Sequence, residues 1–310
     1  SSTDLDDGGA TILPNSSPST GRWKRKFNNS IKFSEFGCDI TGAADSASFI
    51  SKMLTYAGTL TNSETVKVVL ENESGSLITT TQLISVPSSV SIINNGTLKY
   101  TGTTDQGTFV LFRSTTDTGI TGTGIIDGNN AENINGIGVS GRSDLGGASY
   151  RVKISGQTIK NCRHQTGNLV GNGGGKGITL QTGARQGLVT DCIIEDCDIG
   201  LALESSIAND GKNRVHTKDI IIKDCQYAGV YIQNTFSNEP TTGDFGMTHL
   251  DLTIENCGTS VTTDDGFSPI VLNGAYSVSG SVMIRNNSGE IDIIRGAGRF
   301  INLDVYADVN

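Results

Sequence analysis

From residue 158 onward the chain repeats one pattern of apolar and polar positions. Thr158-Ile-Lys-Asn-Cys162, Ile193-Ile-Glu-Asp-Cys197, Ile221-Ile-Lys-Asp-Cys225 and Thr253-Ile-Glu-Asn-Cys257 are near copies, and Met283-Ile-Arg-Asn-Asn287 keeps the pattern without the thiol. Their last residues, 162, 197, 225, 257 and 287, lie 35, 28, 32 and 30 apart, which is one supersecondary unit repeated with loops of uneven length. A second strand follows each turn: Gly177-Ile-Thr-Leu-Gln-Thr182, Gly200-Leu-Ala-Leu-Glu-Ser205, Gly229-Val-Tyr-Ile-Gln-Asn234 and Pro269-Ile-Val-Leu-Asn-Gly274, with Gly136-Ile-Gly-Val-Ser-Gly141 one coil earlier. Each alternates with period two, so Ile178 and Leu180, Leu201 and Leu203, Val230 and Ile232, and Ile270 and Leu272 point inward while polar or small neighbours point outward. Taking 178, 201, 230, 270 and 291 as the leading inward positions gives spacings of 23, 29, 40 and 21. The pattern predicts an all-β fold, a parallel β-helix that is right-handed by the crossover preference.

Composition adds 40 Gly against 5 Pro, as many short strands joined by tight turns require. One segment departs from the strand pattern. Asp45 to Tyr56 has a capping residue, helix formers and Phe49, Ile50, Met53 and Leu54 on one face, which predicts a single helix capping the open end of the solenoid. The expected organisation is a tether and neck over 1–36, an entry strand and capping helix over 37–60, and the β-helix over 61–310. No apolar run of about 18 residues and no charged-then-apolar leader is present, so neither a membrane span nor a signal peptide is expected.

Cys162, Cys197, Cys225 and Cys257 occupy one repeated position, where a small apolar side chain stacks on its copies, so a reduced ladder is expected ahead of disulfides or metal. The Cys192 to Cys197 spacing matches no zinc pattern, and no cofactor is implied. Just before that position stand Asn161, Asp196, Asp224, Asn256 and Asn286, short polar residues able to bond the turn backbone. The basic cluster Arg22, Lys24, Arg25 and Lys26 is short and the chain is net −9, so nucleic acid is not the expected partner.

Ser2-Thr-Asp-Leu-Asp-Asp-Gly-Gly9, Gly21-Arg-Trp-Lys-Arg25, Phe36-Gly37 and Ala44-Asp-Ser-Ala-Ser-Phe49 resemble the neck and entry region of phage tailspikes with a pectate-lyase-like β-helix. Gly122-Thr-Gly-Ile-Ile-Asp-Gly128 is similar to a strand-turn common in β-helix polysaccharide enzymes. The resemblance implies a homotrimeric virion protein. It would join other tail proteins through its N-terminus and bind, and usually cleave, a bacterial surface polysaccharide.

The chemistry must lie on an outward stripe or in loops. Aligning the strands stacks Ser140, Gln181, Glu204, Gln233 and Asn273 on one outward column, and Gly138, Thr179, Ala202, Tyr231 and Val271 on the next. One carboxylate among amides, beside an aromatic ring, suits a glycan groove; a self-satisfied amide ladder or a subunit-contacting face is the alternative. Glycoside hydrolysis uses two carboxyl groups, so Glu204 needs a partner from Asp244, Asp264-Asp265 or Asp210. A lyase would instead draw a base from Arg142, Tyr150, Arg151, Lys153, His164 and Lys176. His216 and His249 precede strands and are expected in loops. A carboxylate-assisted depolymerase is the leading expectation; a non-catalytic receptor-binding or adaptor spike is the other.

Overall fold

The computed structural model describes residues 11–12, 23–24, 27, 29–64, 67–103, 107–141, 147–163, 174–181, 183–205, 214–234, 248–258, 268–273, 278–286, 294–295 and 302–308. The chain is a parallel β-helix, as the repeat predicts. Eight strands form one sheet in the order Ile84–Ser85, Gly107–Arg113, Ile134–Ser140, Lys176–Leu180, Ile199–Ser205, Ala228–Asn234, Ile270–Asn273 and Ile294–Arg295. A seventeen-stranded sheet, which carries the strands before each Cys bend, makes up most of the rest of the coil.

Inward side chains stack in register from coil to coil. Val110, Ile137, Ile178, Leu201, Val230 and Ile270 form one inner column, and Phe112, Val139, Leu180, Leu203, Ile232 and Leu272 the next. All are buried, and full burial of one such side chain is worth about 1.5–3 kcal/mol, so each coil is stabilised chiefly by its neighbours. In the last coil Leu272 pairs with Ile294, 22 residues on against the 21 that the spacing suggested, and Ile291 lies outside the described residues.

Two features of the repeat have a steric cause. Asn161, Asp196, Asp224, Asn256 and Asn286 all have left-handed backbone, with φ between 50° and 56°. Asn and Asp tolerate that conformation better than other side chains do, which explains their recurrence at the corner. The glycine near the start of four successive strands of the eight-stranded sheet answers to space. A Cβ on Gly136, Gly177, Gly200 or Gly229 would lie 2.5, 2.3, 2.2 or 2.7 Å from the Cγ2 of Ile159, Ile194, Ile222 or Ile254.

Between these positions the cysteine ladder is as expected. Cys162, Cys197, Cys225 and Cys257 are buried and free, and each Sγ donates to the carbonyl two residues back, at 3.6, 3.3, 3.5 and 3.2 Å. Backbone bonds tie the bends together: the N–H groups of Asp198, Gln226 and Gly258 donate to the carbonyls of Cys162, Cys197 and Cys225.

The helix spans Ala47–Glu64, longer than predicted, with Ile50, Met53, Leu54 and Ala57 buried against the first coils. Asp45 accepts from the Ala47 N–H at 3.1 Å, the capping role expected of it. Phe27, Phe36 and Tyr56 cluster beside the helix, closing the end of the core. Within the segment read as tether and neck, Thr11–Ile12 and Trp23–Lys24 pair antiparallel.

Candidate functional site

The predicted outward columns are real. Leu111, Gly138, Thr179, Ala202, Tyr231 and Val271 pair in sequence across the eight-stranded sheet. Glu204 pairs with Gln233, Gln233 with Asn273, and Asn273 with Arg295. The Gln181 N–H donates to the Val139 carbonyl at 2.8 Å, which places Gln181 one coil before Glu204 in that column.

Glu204 is not an isolated charge. Its Oε1 accepts from Lys176 Nζ at 2.6 Å and its Oε2 from Thr179 Oγ1 at 3.4 Å. The Lys176 side chain is 5% exposed and that of Glu204 16%. Simple alternation puts Lys176 inward, two residues before Ile178. The crowded glycine between them breaks the alternation, because Lys176 bonds outward to Glu204 while Ile178 stays in the core. Ile199 behaves the same way in the next coil: it packs with Ala202, Ala228 and Val271 in a second apolar cluster on the outer side, against Tyr227 and Tyr231.

That cluster fills the middle of the column that adjoins Glu204's. Thr179 and Ala202 are fully buried and Val271 nearly so, whereas Gln181, Glu204, Tyr231 and Gln233 are half-buried. The candidate site is therefore a rim rather than a trough. The amide-ladder alternative forms elsewhere. Asn72 Nδ2 donates to Asn94 Oδ1 at 2.6 Å and Asn94 Nδ2 to Gln157 Oε1 at 2.8 Å, all three buried. Among the described residues no side-chain hydrogen bond joins Gln181, Gln233 and Glu204, and the buried Ser140 hydroxyl has no partner.

Asp244, Asp264, Asp265 and Asp210 lie outside the described residues, as do Arg142 and His164, and the side chain of Asn273 is not described. The remaining lyase candidates do not converge with Lys176. Lys153 stands on the seventeen-stranded sheet, Arg151 forms an exposed ion pair with Asp117 at 2.6 Å, and Tyr150 accepts from Arg185 at 2.9 Å. Sequence reasoning missed Asp198, a carboxylate whose side chain is 2% exposed and which lies 3.4 Å from Arg163 Nη1. Its signal is faint, because it immediately follows a Cys of the structural ladder. Burial, then the charge of Asp198, pushes the Tyr227 hydroxyl up.

His216 and His249 are not loop residues. They lie in the strands Val215–Lys218 and Thr248–Glu255, paired across adjacent coils. Among the described residues no cluster of three His, Cys, Asp or Glu side chains is arranged for a metal.

The seventeen-stranded sheet shows a different outer surface. Lys160, Glu195, Lys223, Glu255 and Arg285 pair in succession, an alternating charge ladder, and the adjacent column is Thr158, Ile193, Ile221, Thr253, Met283 and Tyr306. Ile193, Ile221 and Tyr306 are 36, 40 and 55% exposed, three of the five exposed large apolar side chains among the described residues.

No protein-family model matches the chain, and no curated protein matches it in sequence. Solved structures similar to it include phage tailspikes and β-helix glycoside hydrolases. The tailspike protein of E. coli bacteriophage HK620, in complex with a pentasaccharide, is 10% identical, over 97% of this chain and 69% of that one, with a TM-score of 0.45. The enzymatically active domain of bacteriophage CBA120 tailspike protein 2 is 12% identical, over 95% of this chain and 46% of that one, with a TM-score of 0.44. Endo-xylogalacturonan hydrolase from Aspergillus tubingensis is 13% identical, over 87% and 94%, with a TM-score of 0.37. At these identities the likeness concerns the fold alone.

Proposed function

We propose that the chain is a phage tailspike that binds a bacterial surface polysaccharide and cleaves it by carboxylate-assisted glycoside hydrolysis. The observation that carries this reading is Glu204. It is a half-buried carboxylate positioned by Lys176 and paired across the strands with Gln233, and among the described residues no side-chain hydrogen bond joins it to Gln181 or Gln233. Gln181, Gln233 and Asn273 supply hydrogen bonds to sugar hydroxyls, and Tyr231 in the adjoining column supplies a ring edge or face for a pyranose. The second carboxyl group comes from Asp244, Asp264 or Asp265. Strands are about 4.8 Å apart, so a partner one or two coils from Glu204 meets the separations of about 5–5.5 Å for retention or about 6.5–9.5 Å for inversion.

The protein would sit in the phage tail, joined to other tail proteins by its N-terminal segment, and act outside the host. The Ile193, Ile221, Met283 and Tyr306 column with its self-complementary charge ladder suits packing against further copies in a trimer. Light scattering is expected to give about three times the 32.5 kDa chain mass. A monomer that still binds glycan refutes that assembly.

The deciding experiment is incubation with capsule, O-antigen or exopolysaccharide from the host. New reducing ends without ultraviolet absorbance mean hydrolysis, absorbance of an unsaturated uronate means elimination, and retention without either means binding alone. The last outcome is the second reading, a receptor-binding spike. One observation favours it: both Glu204 oxygens already accept hydrogen bonds, from Lys176 and Thr179.

A further inference from the structure

A cleft of ≈ 480 Å³ opens on the seventeen-stranded sheet, away from Glu204. It is lined by Gln186, Leu188, Arg214, His216, His249 and Ser279, together with the backbone around Gly187 and Val215. Leu188, His216, His249 and Ser279 form one outward column, paired coil to coil. The two imidazoles stack with centroids 4.7 Å apart and planes 22° apart. His249 Nδ1 meets Ser279 Oγ at 3.2 Å, which leaves its Nε2 as the free edge.

The strands are bulged here. His216 pairs with His249 but Ile220 with Leu252, and the extra residue is accommodated by Thr217, whose Oγ1 bonds the His249 carbonyl at 3.2 Å and the Asp251 N–H at 3.0 Å. Bulges that re-aim side chains are common beside functional sites. Gln186, at the corner of the preceding coil, has left-handed backbone with φ of 58°, unusual for this residue type. The chain carries 32 acidic against 23 basic residues, yet the described lining holds one guanidinium, two imidazoles, an amide and a hydroxyl, and no carboxylate.

We propose that this cleft binds the carboxylate of an acidic sugar unit, as a second glycan site distinct from the Glu204 rim. Arg214 offers the paired donors that match a carboxylate, the imidazole edges and Gln186 reach further oxygens, and Leu188 receives the apolar side of a ring. The anion is argued from the cleft itself; the sugar as its carrier rests on the polysaccharide reading above.

The test follows the histidine ring protons by NMR while glucuronate, galacturonate or N-acetylneuraminate is added to the full chain, with glucose, acetate, inorganic phosphate and zinc as separate arms. Saturable shifts of both rings with at least one sugar acid, weaker with acetate and absent with glucose, support the proposal. Arg214→Ala should weaken that binding about 10-fold, with Arg214→Lys recovering part of it. Equal binding of acetate or phosphate, tighter binding of zinc, or no shift with any sugar acid overturns it. Glu204→Gln should leave these shifts unchanged. A chain that keeps full hydrolysis as Glu204→Gln yet binds the sugar acid therefore sinks the proposed catalytic rim and not this site.

Discussion

The two sheets carry the same kind of ion pair on their outer faces in different surroundings. On the eight-stranded sheet, Lys176 and Glu204 meet at 2.6 Å with side chains 5 and 16% exposed. On the seventeen-stranded sheet, Lys223 and Glu195 meet at 2.9 Å with side chains 37 and 21% exposed, and Arg285 and Glu255 at 3.7 Å. The exposed pairs belong to a ladder of alternating charge and answer to register: each coil finds its complement in the next. The buried pair has no such ladder. Its charges are taken from water beside Ala202 and Thr179, a cost that packing alone gives no reason to accept. Burial, rather than the presence of a salt bridge, is what separates a candidate site from a well-set solenoid face.

The sharpest way to break that comparison is to remove one member of the buried pair. Lys176→Met leaves the Glu204 carboxylate partly buried without its cation, and a loss of about 3 kcal/mol or more is expected in urea denaturation. The double variant Lys176→Met with Glu204→Leu should recover most of it, because no charge is then stranded. If the single variant is as stable as the parent, the ion pair does not hold this face.

Next in size is the chemistry. Glu204→Gln keeps the shape and accepts from Lys176, so fold and glycan retention should survive while hydrolysis falls about 10²-fold. Tyr231→Ala should mainly weaken retention. Full activity in Glu204→Gln would move the reaction to the loops carrying Asp244, Asp264 and Asp265 or to a site between subunits.

Much of this was legible in the sequence because a solenoid writes its register into its repeats. The inner columns, the Cys ladder, the recurring Asn and Asp corners and the column that runs from Glu204 through Gln233 to Asn273 all follow from period two and the recurring bend. What was not legible came from places where the period breaks. Lys176 stands out as a possible base, but its bond to Glu204 across the break in alternation at Gly177 does not, and the His216–His249 stack lies in strands where loops are expected, beside a bulge at Thr217. The groove expected along the Ser140 to Asn273 column depended on what lies over it, and the alternation of one strand carries no information about that. The buried amide ladder of Asn72, Asn94 and Gln157 was not singled out, although Asn72 and Asn94 keep the inward alternation of the strands Val68–Asn72 and Val90–Asn94 that they end.

A third, smaller effect separates the inside of the coil from both outer faces. Cys225→Ser puts a hydroxyl among apolar neighbours and should cost about 1–3 kcal/mol, while thiol reagents should find the native ladder protected. The pH dependence has a definite sign. A thiol ordinarily ionises near 9.0, and burial pushes Cys38 up to about 12 and Cys192 up to about 11, so the native state keeps protons that the unfolded chain releases. Their contribution to stability is complete below pH 9 and is lost as pH rises toward 11 and 12, at about 1.4 kcal/mol per pH unit for each thiol. Cys192→Ala should flatten that alkaline slope; an unchanged slope would show that other groups set it.

The smallest effect belongs to the exposed ladder. In Lys223→Met, Glu195 loses a 2.9 Å partner but remains open to water, and the cost should be about 0–1 kcal/mol, shrinking further as salt is raised. The hydrogen bond to Glu195, then its charge, raises the Lys223 ammonium above its ordinary range, so the small stabilisation is present at neutral pH and fades only as pH rises through that raised value. If Lys223→Met instead costs as much as Lys176→Met, and the loss is accompanied by a fall in the mass measured by light scattering, the ladder is buried between copies of the chain. The contrast between the two faces would then be one between a site within a subunit and an interface between subunits.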